Sequence, residues 1–343
     1  MKNIIQQLKK EKEKFNFLKK SNENKRPFSS IPDANLNNDK KNKKNEKQNN
    51  NHNNKNNITR KNNEINLIYT SQYKCYQNIF GEKFVRNNTK NIKLSVNGKE
   101  SPLVHDFELK KGKNNVKMII INKLTNLEYM FYECESLINI DELKYLDTSN
   151  VTNFSNMFNG VQSFKDYEPL GNWNVSNGEN FSFMFSKCYQ LSDIISLKNW
   201  DVSNCTNFNG MFKDCSSLIN IEFGTWDVSN CTNFSEMFYG CQSLYDISSL
   251  EKWNMVNSID LTRMFRGCFK IENIEFLKNW NVRKCKNFSE MFYGCNGLKD
   301  ITPLKDWNII KGEYFYQMFG NCYSIEKRYE FPNAWGKKYD DLF

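Results

Sequence analysis

The 343 residues carry 48 Lys and Arg against 39 Asp and Glu, a formal charge of +9, and 15% of them are aromatic. The charge is uneven: residues 1–63 hold 17 basic and 6 acidic side chains, while residues 64–343 hold 31 and 33. Basicity of +11 thus sits in the first segment and the remainder is near neutral at −2, so a whole-chain argument for nucleic-acid binding fails. Two His, His52 and His105, leave no raw material for a His-rich metal site or a His-centred triad.

Residues 1–63 hold 18 Asn and 17 Lys or Arg, with a run at Asn49-Asn50-Asn51-His52-Asn53-Asn54. Such a segment buries too little apolar surface to offset chain entropy, and it reads as a disordered basic tail. Its cluster Lys40-Lys41-Asn42-Lys43-Lys44 has the composition of a nuclear-import patch. No stretch reaches the roughly 18 apolar residues of a membrane helix. The first ten residues turn charged before an apolar run of signal-peptide length develops. The 11 Cys therefore read as reduced thiols, and the expected compartment is the cytoplasm, with the nucleus open through the tail and no membrane insertion.

From Glu64 the texture becomes β-rich. Ile65 to Tyr69 alternates, Ile92 to Val96 alternates into the turn pair Asn97-Gly98, and Val116 to Ile121 reads as a further strand. Residues 64–122 are expected to form a small β capping module.

Beyond it one dipeptide sets the architecture. Met-Phe recurs at 130, 157, 184, 211, 237, 264, 291 and 318, at spacings of 27 residues with one of 26. Four residues before the Phe lies a Leu or Phe (Leu127 to Phe315), three after it a Cys (Val161 in the second copy), six after it Leu, Ile or Phe, and nine after it Ile or Tyr167 until Arg328. A Trp column follows at 173, 200, 226, 253, 280 and 307, with Leu146 in its first place and Trp335 one residue late. A fixed period of this length marks a repeat array. The offsets around the Phe place three apolar side chains on one face of a short helical turn, and Leu-x-x-Ile is the spacing at which a leucine-rich repeat enters a strand. The expected fold is an α/β repeat solenoid of about eight 26–27-residue leucine-rich-type coils with parallel strands across 123–335, with 336–343 as a C-terminal tail.

The segment Trp226-Asp227-Val228-Ser229-Asn230-Cys231-Thr232-Asn233-Phe234-Ser235-Glu236-Met237-Phe238, followed by Tyr239-Gly240-Cys241-Gln242-Ser243-Leu244, resembles the BspA-type leucine-rich-repeat surface proteins, the bacterial surface protein 26-residue repeat family of bacteria and protists. The module before the repeats, with Ile79-Phe80-Gly81-Glu82-Lys83-Phe84-Val85, looks like the β region that precedes these repeats in intracellular protist members. The resemblance implies an elongated interaction protein, associated in bacterial relatives with adhesion, and it carries over no catalytic residue.

Each residue column has a packing and a functional reading. The Cys ladder, with Cys205, Cys231 and Cys285 as a second partial column, reads as small buried hydrophobes, since Val161 replaces one without changing the period. The Asn columns read as amides bonding the turns between repeats. Asp166, Asp193, Asp246 and Asp300 precede the Ile column in alternation with Asn, while Asp141, Glu168, Glu222 and Glu275 follow it. These acidic positions are the candidate partner-binding face, turn formation by the first set being the competing reading. Tyr189, Tyr239, Phe269 and Tyr293, together with Tyr132 and Tyr323, are candidate contact anchors. No phosphate loop, nucleophile motif, metal set or cofactor motif is found. The expected function is a non-enzymatic scaffold binding a protein partner, basic in character, along a strand-lined face. A surface adhesin and a nucleic-acid-associated protein acting through the tail are the alternatives, though nucleic acid is not the expected partner. The tail itself is expected to contact the acidic columns.

Overall fold

A computed structural model describes residues 63–326 and 342–343. The basic tail before Asn63, its expected disorder and its expected contact with the acidic columns lie outside the described residues, as do Arg328 and Trp335.

Alternating apolar residues build the first part as anticipated. Strand β1 (Glu64–Ser71) buries Ile65, Leu67 and Tyr69. Strands β2 (Cys75–Asn78), β3 (Ile92–Val96), β4 (Lys99–Pro102), β5 (Asp106–Leu109), β6 (Gly112–Ile120) and β7 (Leu137–Asn139) complete two sheets. The larger has the order β4-β3-β6-β1-β7, the smaller pairs β2 with β5, and all pairings are antiparallel. Asn97 and Gly98 turn β3 into β4 with φ of 51° and 85°, both left-handed as the tightest hairpin turn requires.

Within this module Ile79 to Val85 leads from strand into helix. Helix α1 (Glu82–Asn88) forms there and buries Phe84 and Asn88. Gly81 before it approaches the first repeat so closely that a Cβ would stand 2.0 Å from the Tyr129 carbonyl oxygen.

The α/β solenoid of leucine-rich coils with parallel strands is overturned. The regular strands belong to the two antiparallel sheets, α1 is the α-helix of the described residues, and the repeats hold no strand except β7, which pairs antiparallel with β1. The reading of the repeats as leucine-rich-type coils of a solenoid falls with it. The reason is backbone handedness. Two residues before each Met-Phe phenylalanine the chain is left-handed, as at Tyr129, Asn156, Phe183, Glu236, Arg263 and Glu290, and a second left-handed residue follows four later. The chain bends every two or three residues, so no extended run survives to pair as a strand.

Turns replace strands, and alternate N–H groups serve two masters. Between the fourth and fifth repeats, Phe208, Gly210, Phe212 and Asp214 donate to the carbonyls of Asn233, Ser235, Met237 and Tyr239 at 2.6–2.9 Å. The intervening Met211, Lys213 and Cys215 donate three residues back within their own turns at 3.0–3.1 Å. In this ladder the donor lies on the earlier repeat at every junction. Single-residue parallel bridges, Asn126↔Asn153 through Asn287↔Tyr314, mark the register.

Under the ladder the apolar columns meet their own copies. Phe158, Phe185, Phe212, Phe238, Phe265, Phe292 and Phe319 stack at 5.5–5.9 Å between ring centroids, with planes within 10°. The Trp rings stack at 6.2–6.5 Å, and most donate Nε1–H to a buried carbonyl of the preceding repeat, as Trp200 does to Leu170 at 3.0 Å. The 26-residue spacing is visible here. Phe223 stands where other repeats place Leu, its ring 4.9 Å from that of Trp253, and Trp253 Nε1 is left buried without a hydrogen-bond partner. Leu342 and Phe343, read from sequence as part of a tail, pack on the last repeat: the Leu342 carbonyl accepts from Phe319 N at 2.7 Å and Leu342 is fully buried.

Candidate functional site

The position two residues after the repeat Phe is left-handed in every repeat, and in three successive repeats it is glycine: Gly240, Gly267 and Gly294, with φ of 71–74°. A Cβ on Gly267 or Gly294 would meet only atoms 3.7 Å or more away. Three missing side chains in line leave a groove of about 450 Å³. Its floor is closed to hydrogen bonding by N–H, because Gly240, Gly267 and Gly294 already donate to Arg266, Tyr293 and Gly320 at 2.7–2.8 Å.

One wall comes from the residue after the Phe. Lys213 Nζ stands 4.5 Å from the centroid of Tyr239, and the Arg266 guanidinium lies 5.8 Å from Tyr239 and 4.0 Å from Tyr293. These cations, and Arg263 beside them, are each paired with a carboxylate, three cations sharing two. Lys213 meets Glu236 at 2.6 Å, Arg263 meets Glu290 at 2.8 Å and Glu236 at 3.5 Å, and Arg266 pairs with Glu290, which is itself buried. The opposite wall alternates amide and aromatic: Gln242, Phe269, Asn296, Tyr323. Phe269 is 45% and Tyr323 72% exposed, so both rings face solvent. Asp214 stands at one end, where burial pushes its carboxyl up against the pull of Lys213 and Lys187. Asn321 closes the other end, donating to Tyr293 Oη at 2.5 Å and accepting from Tyr323 Oη at 2.9 Å. The groove as a whole is polar-walled, aromatic and close to electrically neutral.

A family model matches residues 104–221 and 243–335, more than half of the chain. The chain belongs to the family described as Mycoplasma protein of unknown function, DUF285. The stretch between the two matched parts contains the 26-residue spacing. No curated protein matches, and no solved structure does.

In this DUF285 protein the aromatic anchors and the acidic columns part company. Tyr239, Phe269 and Tyr293 come together in the groove; Tyr189 is exposed three repeats before Phe269 and does not join them. The acidic positions are largely spent on local structure. Asp166, Asp193, Asp246 and Asp300 accept the N–H two residues on, from Glu168, Ile195, Ser248 and Thr302 at 2.6–3.2 Å, and so open the short 3-10 turns that follow. Asn273 does the same for Glu275, which explains why Asn and Asp alternate in that column. Asp141 accepts from Asn139 at 2.7 Å, Glu275 pairs with Lys278 at 2.6 Å, and Glu168 and Glu222 are exposed. None of the eight lines the groove. Sequence reasoning missed the glycine floor and the ion-paired wall. The run of Gly at one column in three adjacent repeats was the available signal.

The Asn columns bond between repeats as their spacing suggested: Asn177, Asn204, Asn230 and Asn257 each donate to a Ser carbonyl one repeat back at 2.7–2.8 Å. The thiols pack. Ten of the eleven are buried and all are free; the ladder members Cys188, Cys215, Cys241, Cys268, Cys295 and Cys322 donate to the repeat Phe carbonyl of the copy before. Burial pushes Cys188 and Cys285 up to about 12. Cys75 differs: it is half-buried, and hydrogen bonds from Ser71 and Gln77 draw its thiol below the usual value. Native labelling with a thiol-reactive chromophore at pH 7.5 should therefore modify one Cys per chain and reach eleven only in denaturant. Rapid modification of two or more before unfolding would contradict the buried ladder.

Proposed function

We propose that this chain is a non-catalytic interaction scaffold that binds a protein partner through the groove walled by Tyr239, Phe269, Tyr293 and Tyr323. What carries the reading is the gap over Gly267 and Gly294, continued past Gly240 to Asp214, beside the solvent-facing rings of Phe269 and Tyr323. Large aromatics on a rigid base supply contact area at low entropic cost, the usual make-up of an interface hot spot. The ladder thiols nearest the groove, held protonated by burial, supply it with no ready nucleophile, which supports a binding role for it. Among the described residues no helix is long and apolar enough to cross a membrane. We place the site of action in the cytoplasm, on the strength of eleven free thiols.

The test is position-specific. A photo-cross-linking residue at Phe269 of the full-length chain should yield discrete protein adducts in the native host extract, and the Tyr323→Ala change should reduce them about tenfold. The same probe at Tyr145, exposed on the first repeat, should not. Equal adducts from both positions would remove the groove as the binding face.

A further inference from the structure

The groove has a periodicity of its own. Tyr239 and Tyr293 stand on one wall in the fifth and seventh repeats; Phe269 and Tyr323 stand on the other in the sixth and eighth. Same-wall rings are thus two repeats apart. With repeats held at strand-like spacing by their parallel bridges, that separation is about 9.6 Å. One turn of polyproline II helix, three residues of about 3.1 Å, advances about 9.3 Å. We propose that the groove takes a proline-rich segment of the partner protein in the polyproline II conformation, Phe269 and Tyr323 offering exposed aromatic platforms one ligand turn apart on one wall, with the half-buried Tyr239 and Tyr293, held by Lys213 and Arg266, lining the other. This rests on the reading of the chain as a protein-binding scaffold.

Three further observations select this occupant. A peptide added as a β-strand needs free backbone groups along its track, and the N–H groups of the floor are spent on the next repeat. Polyproline II needs no such ladder, and its unpaired carbonyls suit isolated amide donors such as Gln242 and Asn296, both exposed on the rim. The wall's three cations, Lys213, Arg263 and Arg266, face two carboxylates within it, Glu236 and Glu290, and Asp214 at the end of the groove is the third, so the groove as a whole favours neither an acidic nor a basic motif. The ligand is therefore uncharged. It also comes from another molecule: the chain has six Pro, at 27, 32, 102, 169, 303 and 332, and no Pro-x-x-Pro. From the fifth to the eighth repeat the track runs about 14 Å, enough for four or five residues of this helix.

Fluorescence anisotropy on the full-length chain tests it. The probes are a labelled uncharged nine-residue peptide with Pro at every third position, its all-D enantiomer, and a neutral linear hexasaccharide. The L-peptide is expected to bind saturably and at least tenfold tighter than the D-peptide, whose helix has the opposite hand. Phe269→Ala and Tyr323→Ala should each weaken it about tenfold while leaving the melting temperature unchanged, since both rings are exposed. Equal binding of the two enantiomers overturns the proposal. Binding of the hexasaccharide alone, abolished by the same substitutions, overturns it in favour of a glycan groove. If the peptides fail while Phe269-dependent protein adducts persist, the ligand class is wrong and the scaffold stands; if the adducts are absent too, both readings fall.

Discussion

On raising the pH the folded chain should collapse cooperatively, with a midpoint about pH 10, where each thiol of ordinary pKa costs roughly 1.4 kcal/mol per further pH unit if folding forbids its ionisation. Eight thiols, those of Cys134, Cys188, Cys205, Cys215, Cys241, Cys268, Cys285 and Cys295, are raised chiefly by burial. A group whose folded pKa lies above its unfolded value stabilises fully below the unfolded value, and that contribution disappears as pH climbs toward the folded one. Together the eight withdraw on the order of 11 kcal/mol per pH unit, comparable with the whole stability of a typical domain. The buried phenols of Tyr69 and Tyr167, raised by the same cause, add to the loss at still higher pH. Far-UV circular dichroism against pH reads the transition. Replacing Cys215 and Cys241 by Val, the residue the second repeat already uses at Val161, should move the midpoint upward. A chain that stays folded past pH 11.5, or Val variants with an unmoved midpoint, would show that the ladder is open to solvent.

Truncating one indole should cost nearly as much at neutral pH. Trp226 is 6% exposed, stacks 6.4 Å from Trp200 and 5.4 Å from Phe208, and donates Nε1–H to the Leu197 carbonyl at 2.9 Å. Trp226→Ala leaves a cavity between two repeats, ~3–5 kcal/mol, and orphans a buried carbonyl, ~1 kcal/mol or more. Urea unfolding should show a midpoint far below that of the parent chain. Trp253→Phe is the informative control: its Nε1 has no partner to lose, so exchange for Phe should cost much less than the same change at Trp226. Equal losses at the two positions would mean that the hydrogen bond contributes nothing.

The columns of buried residues were readable because apolar period survives any choice of backbone: Phe, Cys, Leu, Ile and Trp fall inside whether the chain runs as strands or as turns. The backbone was not readable for the same reason. Left-handed φ at Phe183, Arg263 and Glu290 has no side-chain signature, since these types ordinarily avoid it at a cost of ~1–2 kcal/mol, and only the ladder of N–H bonds to the next repeat holds them there. Leu-x-x-Ile consequently suggested a strand where Asp193 and Asp246 in fact open 3-10 turns. At the site, Tyr239, Phe269 and Tyr293 were visible as outlying aromatics, but their convergence depended on what was missing between them. A residue without a side chain draws no attention in a search for chemistry.

The direction of the hydrogen-bond ladder makes the two ends of the repeat array unlike. Along the ladder beside the Met-Phe turns the first repeat is left with carbonyl oxygens and the last with N–H groups, while bonds such as Thr206 N to the Glu179 carbonyl run the other way, so copies stacked in register would have to join head to tail, a contact that gives open filaments unless its rotation closes a ring. The head is already taken: Gly81 N donates to the Met130 carbonyl at 3.1 Å and Asn88 Nδ2 to that of Asn126 at 3.3 Å. At the tail the Leu342 carbonyl occupies the Phe319 N–H. The small β unit in front of the repeats and the C-terminal Leu342 thus cover backbone groups at the two ends of the ladder, the positions at which a second copy would have to continue it.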